Sequence, residues 1–138
     1  MRAKDSGKEF FYLNTHLDHR SWPAREESVK LILARVEELT AGADIPVFIT
    51  ADWNAVSTHE IFAPMQGVML DAREVSPVTD RRATYNAWKK GDENNANRII
   101  DHIFFRGAEP EKFEVLMDKD YGWEFISDHY PVVLTAKF

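Results

Sequence analysis

The chain contains no cysteine, which excludes disulfides, thiolate metal sites and cysteine nucleophiles, so any metal must be held by oxygen and imidazole. It lacks an apolar run near the roughly 18 residues of a membrane span. Its opening, MRAKDSGKEF, lacks the apolar core and small-residue cleavage site of a secretion leader. The expectation is a soluble chain carrying no targeting signal of its own. A surplus of positive charge is missing too: 17 Lys and Arg against 23 Asp and Glu give a formal charge of −6, the wrong sign for gripping nucleic acid mainly through its phosphates. Short basic clusters such as DRRATYNAWKKG (80–91) do not reverse that balance. A nuclease stays compatible with it, because carboxylates gathered around a divalent cation are acidic until the metal arrives. Neither an internal repeat nor a low-complexity tract is found.

What is present suits one packed domain: 138 residues, 44% hydrophobic and 12% aromatic. The unbroken apolar run at 9–13 predicts a central strand covered on both faces. From Pro23 to about Leu39, Val29, Ile32, Leu33 and Val36 recur at helical spacing, with proline suited to a first turn and Gly42 placed to stop the helix. IPVFITADWNA (45–55) reads as a second buried strand, and STHE (57–60) as a capping box opening a short helix. Residues 66–98, including GDENNANR, have the composition of a loop. RIIDHIFFRG (98–107), KFEVLMDK (112–119) and YPVVLTAKF (130–138) read as further strands. The order predicts a mixed α/β layered fold with loops gathered at one sheet edge.

Polar groups collect where those strands end. Asp52 and Asn54, two apart, point the same way if the chain is extended there, offering one charged oxygen and one amide. That pair suits a site for a hydrated cation and a phosphate, although Asp and Asn are equally common turn formers. Asp128 and His129 lie side by side before the last strand and serve one site only at a strand entrance or turn. One of them can then bind metal while the other handles a proton or steadies charge. Asp101, an acid inside an apolar strand, needs a partner, a histidine imidazole being the natural one and Arg98 the plainer alternative. His102 beside it should face away and pack. His16, Asp18 and His19 can be read as a metal triad, but imidazole-rich sets favour zinc or iron while the other candidates are oxygen donors favouring magnesium or manganese. His16 is therefore preferred as a hydrogen-bond donor to phosphate, with Asp18 and His19 as supporting candidates and no role for His59.

Taken in order, NTHLDH, ADWN, IDHIFF and SDHYPV resemble the endonuclease/exonuclease/phosphatase superfamily. These metal-dependent phosphoesterases include pancreatic deoxyribonuclease, abasic-site endonucleases, inositol polyphosphate 5-phosphatases and sphingomyelinases. The usual forms there are NTHLDH, GDFN, IDYIF and SDHYPV, so Ala51, Trp53 and His102 are departures, none of which removes a reacting group. The resemblance implies a deoxyribonuclease-like four-layer α-β-β-α sandwich, of which residues 1–138 would be the C-terminal portion. The asparagine and metal-binding glutamate of the family's first half have no counterpart before residue 9. It further implies Mg2+ or Mn2+ as cofactor, with Asp128 binding the cation and His16 steadying the phosphoryl group. Asp52 would orient or activate water, Asn54 would bind a phosphate oxygen, and His129, oriented by Asp101, would act as base or charge stabiliser. The expected reaction is in-line attack of water on a phosphoester. A small phosphorylated metabolite or lipid head group is favoured over nucleic acid as substrate. The alternative is a catalytically incomplete module that binds a partner or itself, and an uncovered apolar sheet face would then predict a homodimer.

Overall fold

The computed structural model describes residues 1–118 and 120–138; Lys119, the last residue of the strand expected at 112–119, lies outside the described residues. Among the described residues seven strands and two α-helices, one long and one short, run in the order β1 (Phe11–His16), α1 (Trp22–Thr40), β2 (Val47–Asp52), β3 (Leu70–Asp71), α2 (Ala72–Val75), β4 (Val78–Thr79), β5 (Asp101–Arg106), β6 (Glu109–Val115) and β7 (Val132–Lys137). Short 3-10 helices at Glu60–Met65 and Ala96–Arg98 complete the set. One mixed sheet has the order β1-β2-β5-β3 and a second has the order β4-β6-β7. This is the mixed α/β, deoxyribonuclease-like arrangement that the sequence led us to expect.

Alternation along β2 and β5 decides which side chains meet which layer. Val47, Ile49 and Ala51 of β2 and Phe104 of β5 join Val29, Ile32 and Val36 of α1 in one buried cluster on the helix side. Phe48, Ile103 and Phe105 point the other way and pack with Phe113, Val115, Val132 and Leu134 of the second sheet. The sheet face expected to lie bare is thus partly covered from within the chain. An apolar groove lined by Phe10, Tyr12, Phe48, Ile103, Val132 and Phe138, with a volume of about 330 Å³, remains open between the sheets.

Helix α1 begins where expected. Ser21 Oγ accepts the Ala24 amide, Pro23 sits in the first turn, and the chain turns left-handed at Ala41 (φ 49°) and Gly42 (φ 69°) to end it. Two local expectations are corrected. β1 spans Phe11–His16 rather than 9–13, and it is an edge strand of alternating burial, because Tyr12, Asn14 and His16 face away from the helix-side core. The helix expected from a capping box at 57–60 starts at Glu60 as a 3-10 helix, capped by His59, whose Nδ1 accepts the Ile61 amide (3.2 Å). His59 also stacks on Trp22 at 3.9 Å, tying the start of α1 to the segment after β2.

Trp53 closes the helix-side core at the end of β2. It is fully buried, meets Phe62 and Phe104 edge-on (5.4 and 5.1 Å), and donates its indole N–H to the His102 carbonyl (3.1 Å). Trp53→Ala is expected to lower the unfolding free energy by about 3–5 kcal/mol in urea titration. Trp123→Ala, at an exposed loop position, is expected to change it by less than about 0.5 kcal/mol.

Candidate active site

Strand register assembles the site. His16 pairs with Asp52 across β1 and β2, and Asp52 with Asp101 across β2 and β5, so three side chains stand abreast in one row at one end of the sheet. All three fall on the face that carries Phe48 and Ile103, toward the second sheet. His129 arrives from the turn before β7. Its Nδ1–H donates to Asp101 Oδ2 (2.8 Å) while Nε2 lies 3.6 Å from Asp52 Oδ2. Ligand atoms of Asp52, Asp101 and His129 all lie within 4.8 Å of one another, the one such group of acid, histidine or cysteine side chains among the described residues.

The electrostatics follow from that crowding. Burial pushes the Asp52 carboxyl above its ordinary range, and the neighbouring Asp101 anion adds to this, outweighing the Asn54 amide and the two imidazoles that favour its charge. Burial alone would lower His129. The hydrogen bond to Asp101 and the charges of Asp101, Asp52 and Asp128 overcome it and raise its pKa, favouring the imidazolium. A cluster of two carboxylates and one imidazole, dominated by oxygen donors, fits a hard divalent cation such as Mg2+ or Mn2+.

Asn54 reaches the site by a route that extended spacing does not describe. β2 stops at Asp52, Asn54 is left-handed (φ 50°), and its amide N–H donates to Asp52 Oδ1 (2.9 Å), so the turn reading of ADWN holds locally. Its side chain still arrives beside the row, where Nδ2 donates to the Leu17 carbonyl (2.8 Å) and lies 3.0 Å from His16 Nε2. That same nitrogen is 3.1 Å from Asp52 Oδ2. One ring nitrogen serves only one of these neighbours at a time: protonated, it donates to Asp52; bare, it accepts from Asn54. In the first state one Asn54 N–H loses its imidazole partner, and the His16 side chain beside it is largely exposed.

The remaining candidates fall elsewhere. Asp18 Oδ1 accepts the amides of Arg20 (2.7 Å) and Ser21 (2.6 Å), bonds that hold its pKa down and shape the entry to α1. His19 Nε2 accepts from Arg20 Nε (3.1 Å). The Asp128 carboxylate is outside the clustered trio. Its carbonyl accepts the amides of Asn86 (2.8 Å) and Ala87 (3.3 Å), and the carboxylate meets Ser127 Oγ at 3.4 Å. Arg98 pairs with Asp92, leaving Asp101 to His129. His102 faces away and is fully buried, bridging Asp71 (3.0 Å) and the Ala55 carbonyl (3.1 Å).

Sequence reasoning missed a segment inside the expected loop. Thr84 is fully buried, its Oγ1 accepts the amides of Ile100 and Asp101 (3.1 Å each), and its carbonyl accepts the Tyr130 amide (2.7 Å). One threonine therefore pins the backbone of Asp101 and of the residue after His129. Tyr85 lies against the His129 ring at 4.9 Å. Thr84 and Tyr85 stand in a polar run, and only the tertiary pairing of Tyr85 with His129 brings them to the site.

Comparison with known proteins gives the family and the fold. A family model described as "Endonuclease/Exonuclease/phosphatase family" matches residues 2–129. Among solved structures, a mannosyl-6-phosphatase from Bacteroides thetaiotaomicron is 30% identical with a TM-score of 0.87, the match covering 99% of this chain and 54% of that one. An endonuclease/exonuclease/phosphatase family protein from the same organism is 29% identical with a TM-score of 0.82, covering 95% and 51%. Rat nocturnin is 24% identical, the match covering all of this chain and 36% of nocturnin. The chain thus spans about half the length of those solved structures and about a third of nocturnin. With the matched model extending over nearly all of its residues, the chain belongs to the endonuclease/exonuclease/phosphatase family.

Proposed function

We propose that this protein hydrolyses phosphoester bonds with the help of Mg2+ or Mn2+. The observation that carries the reading is the row of His16, Asp52 and Asp101 closed by His129. Asp52 and Asp101 supply the carboxylate oxygens able to hold the cation, with Asp128 a further candidate ligand close by, and His129 beside them serves as a proton donor and not as a ligand. A bound cation would supply neutralisation of charge developing on the phosphoryl oxygens. The chain's own groups do the rest. Asp52, whose carboxyl is pushed above its ordinary range by burial, accepts a hydrogen bond from water and directs the water's lone pair at phosphorus. As the new P–O bond forms, the bond to the leaving oxygen breaks and the attacking water gives up its proton toward Asp52. His129, kept as imidazolium by Asp101, donates to a phosphoryl oxygen, and His16 and Asn54 donate from the β1 side. The acidic surface and the likeness to a mannosyl-6-phosphatase favour a small phosphorylated metabolite, a sugar phosphate first, over nucleic acid.

A second reading is favoured by the open apolar groove between the sheets: a binding or self-associating module, with residues 1–138 as the C-terminal portion of a longer domain that completes the site. Light scattering at high protein concentration would then give a dimer mass, and a stable monomer removes the self-association reading.

Hydrolysis of bis-p-nitrophenyl phosphate with magnesium or manganese tests the first reading. Asp52→Ala and His129→Ala should each lose about 10²–10⁴-fold in kcat. Chelation should abolish turnover and added metal restore it. Thr84→Val should lower kcat with little change in KM, and Thr84→Ser should recover most of it. Metal-independent hydrolysis, or full activity in both alanine variants, would sink the proposal.

The Asp101–His129 pair also sets a pH dependence in metal-free protein. Because the folded pKa of His129 is raised above its ordinary 6.5, the stability it contributes is fully present below that value. It is lost as pH rises through the folded value. His129→Gln should therefore cost more stability at about pH 6 than at about pH 9, read as the shift in urea midpoint. An equal cost at both would contradict the pairing.

A further inference from the structure

Among the described residues four other than glycine have positive φ, and two of them, Ala87 (53°) and Trp88 (60°), are consecutive. Side chains with a Cβ resist this conformation, and glycine would relieve it at either position. The turn is held by Asn86, which is buried. Asn86 Oδ1 accepts the Trp88 amide (2.7 Å), Nδ2 donates to the Ser127 carbonyl (3.1 Å), and its own amide donates to the Asp128 carbonyl (2.8 Å). The strained turn is thereby clamped to the two residues just before His129. Its product is an indole 59% exposed, so packing does not explain why a large aromatic is held there.

A second exposed indole lies in a neighbouring loop. Trp123 is 80% exposed, lines a small cavity together with His129, and neighbours Glu124, whose carboxylate pairs with Lys90 Nζ at 2.9 Å. That ion pair joins the loop of Trp88 to the loop of Trp123. Asp92 is paired with Arg98 (2.8 Å) and Glu124 with Lys90 (2.9 Å), so the two loops offer no basic surplus for a run of phosphates. Such a rim suits an uncharged, hydroxyl-bearing ring that carries a single phosphate into the catalytic row. Indole faces pack against the C–H faces of such rings.

Resting on the phosphoester-hydrolase reading, we propose that Trp88 and Trp123 form a ring-binding rim that selects sugar monophosphates, with Trp88 as a specificity-determining residue. The test has two arms. In NMR titrations, the indole N–H signals, assigned with Trp88→Phe and Trp123→Phe, should shift on adding mannose 6-phosphate and stay still with glycerol 3-phosphate. In turnover with magnesium, Trp88→Ala should raise KM for mannose 6-phosphate about tenfold with kcat retained, while Trp88→Phe stays near wild type and glycerol 3-phosphate is unaffected by either change. Indole signals unmoved by the sugar phosphate, an equal KM rise for both esters, or a response to uridine monophosphate without one to the sugar phosphate would each overturn the proposal. Should the wild type hydrolyse neither these esters nor bis-p-nitrophenyl phosphate, the hydrolase reading fails by itself and the indole titration still decides the rim.

Discussion

Asp52 and Asp101 are paired in register on neighbouring strands and point to the same side, where two carboxylates repel each other and burial leaves little water to screen them. Much of the surrounding structure answers that repulsion. His129 donates to one acid and faces the other, the Asn54 amide donates to Asp52, and His16 lies within reach of the same carboxylate. A folding chain left to optimise stability would place an apolar pair at this register position, as it does at Phe48 and Phe105 in the same strands. Retaining two acids there makes chemical sense only if a positive centre, proton or cation, is meant to sit between them.

Bracing of that cluster comes from behind and from the side. On the helix face, His102 joins β3 to the turn that carries Asn54, by bonds to Asp71 and the Ala55 carbonyl, and its own carbonyl takes the Trp53 indole. From the other side, Thr84 gathers the amides of Ile100 and Asp101 onto one hydroxyl and that of Tyr130 onto its carbonyl. Asp101 lies in the first sheet and His129 on the turn that leads into the second, so their 2.8 Å bond needs a fixed distance between the layers at this end. Thr84 supplies it by binding backbone on both sides, and the shared core of Phe105, Phe113, Val115 and Leu134 supplies it farther along.

Much of this was legible in the sequence, for reasons that vary by element. β2 and β5 announced themselves because a strand buried on both faces reads as an unbroken apolar run, and the polar residues at their ends then stood out. α1 was legible from spacing and caps together. β1 was misread as central because FFYL is apolar, although the side chains at Tyr12, Asn14 and His16 already alternate with the helix-facing set. Asn54 was placed rightly for the wrong geometric reason, since nothing in the letters distinguishes an asparagine that extends a strand from one that turns left-handed. Thr84 and Asn86 stayed hidden. Their partners lie as far as 46 and 42 residues along the chain, at Tyr130 and Asp128, and a small polar residue in a polar stretch carries no periodic signal.

The double demand on His16 Nε2 connects these layers to function. Its neighbours, Asp52 Oδ2 and Asn54 Nδ2, want opposite things, the one a proton and the other a lone pair. Anything that occupies Asp52 with another positive partner weakens the first demand and lets the bare nitrogen hold Asn54. Because Asn54 is kept in place by the Leu17 carbonyl and by its left-handed backbone, the choice is made by moving a proton and not a loop. The β1 side of the row can therefore present either a ring N–H to Asp52 or a bare ring nitrogen to Asn54 with the same backbone, so its hydrogen-bonding character is set by its neighbours.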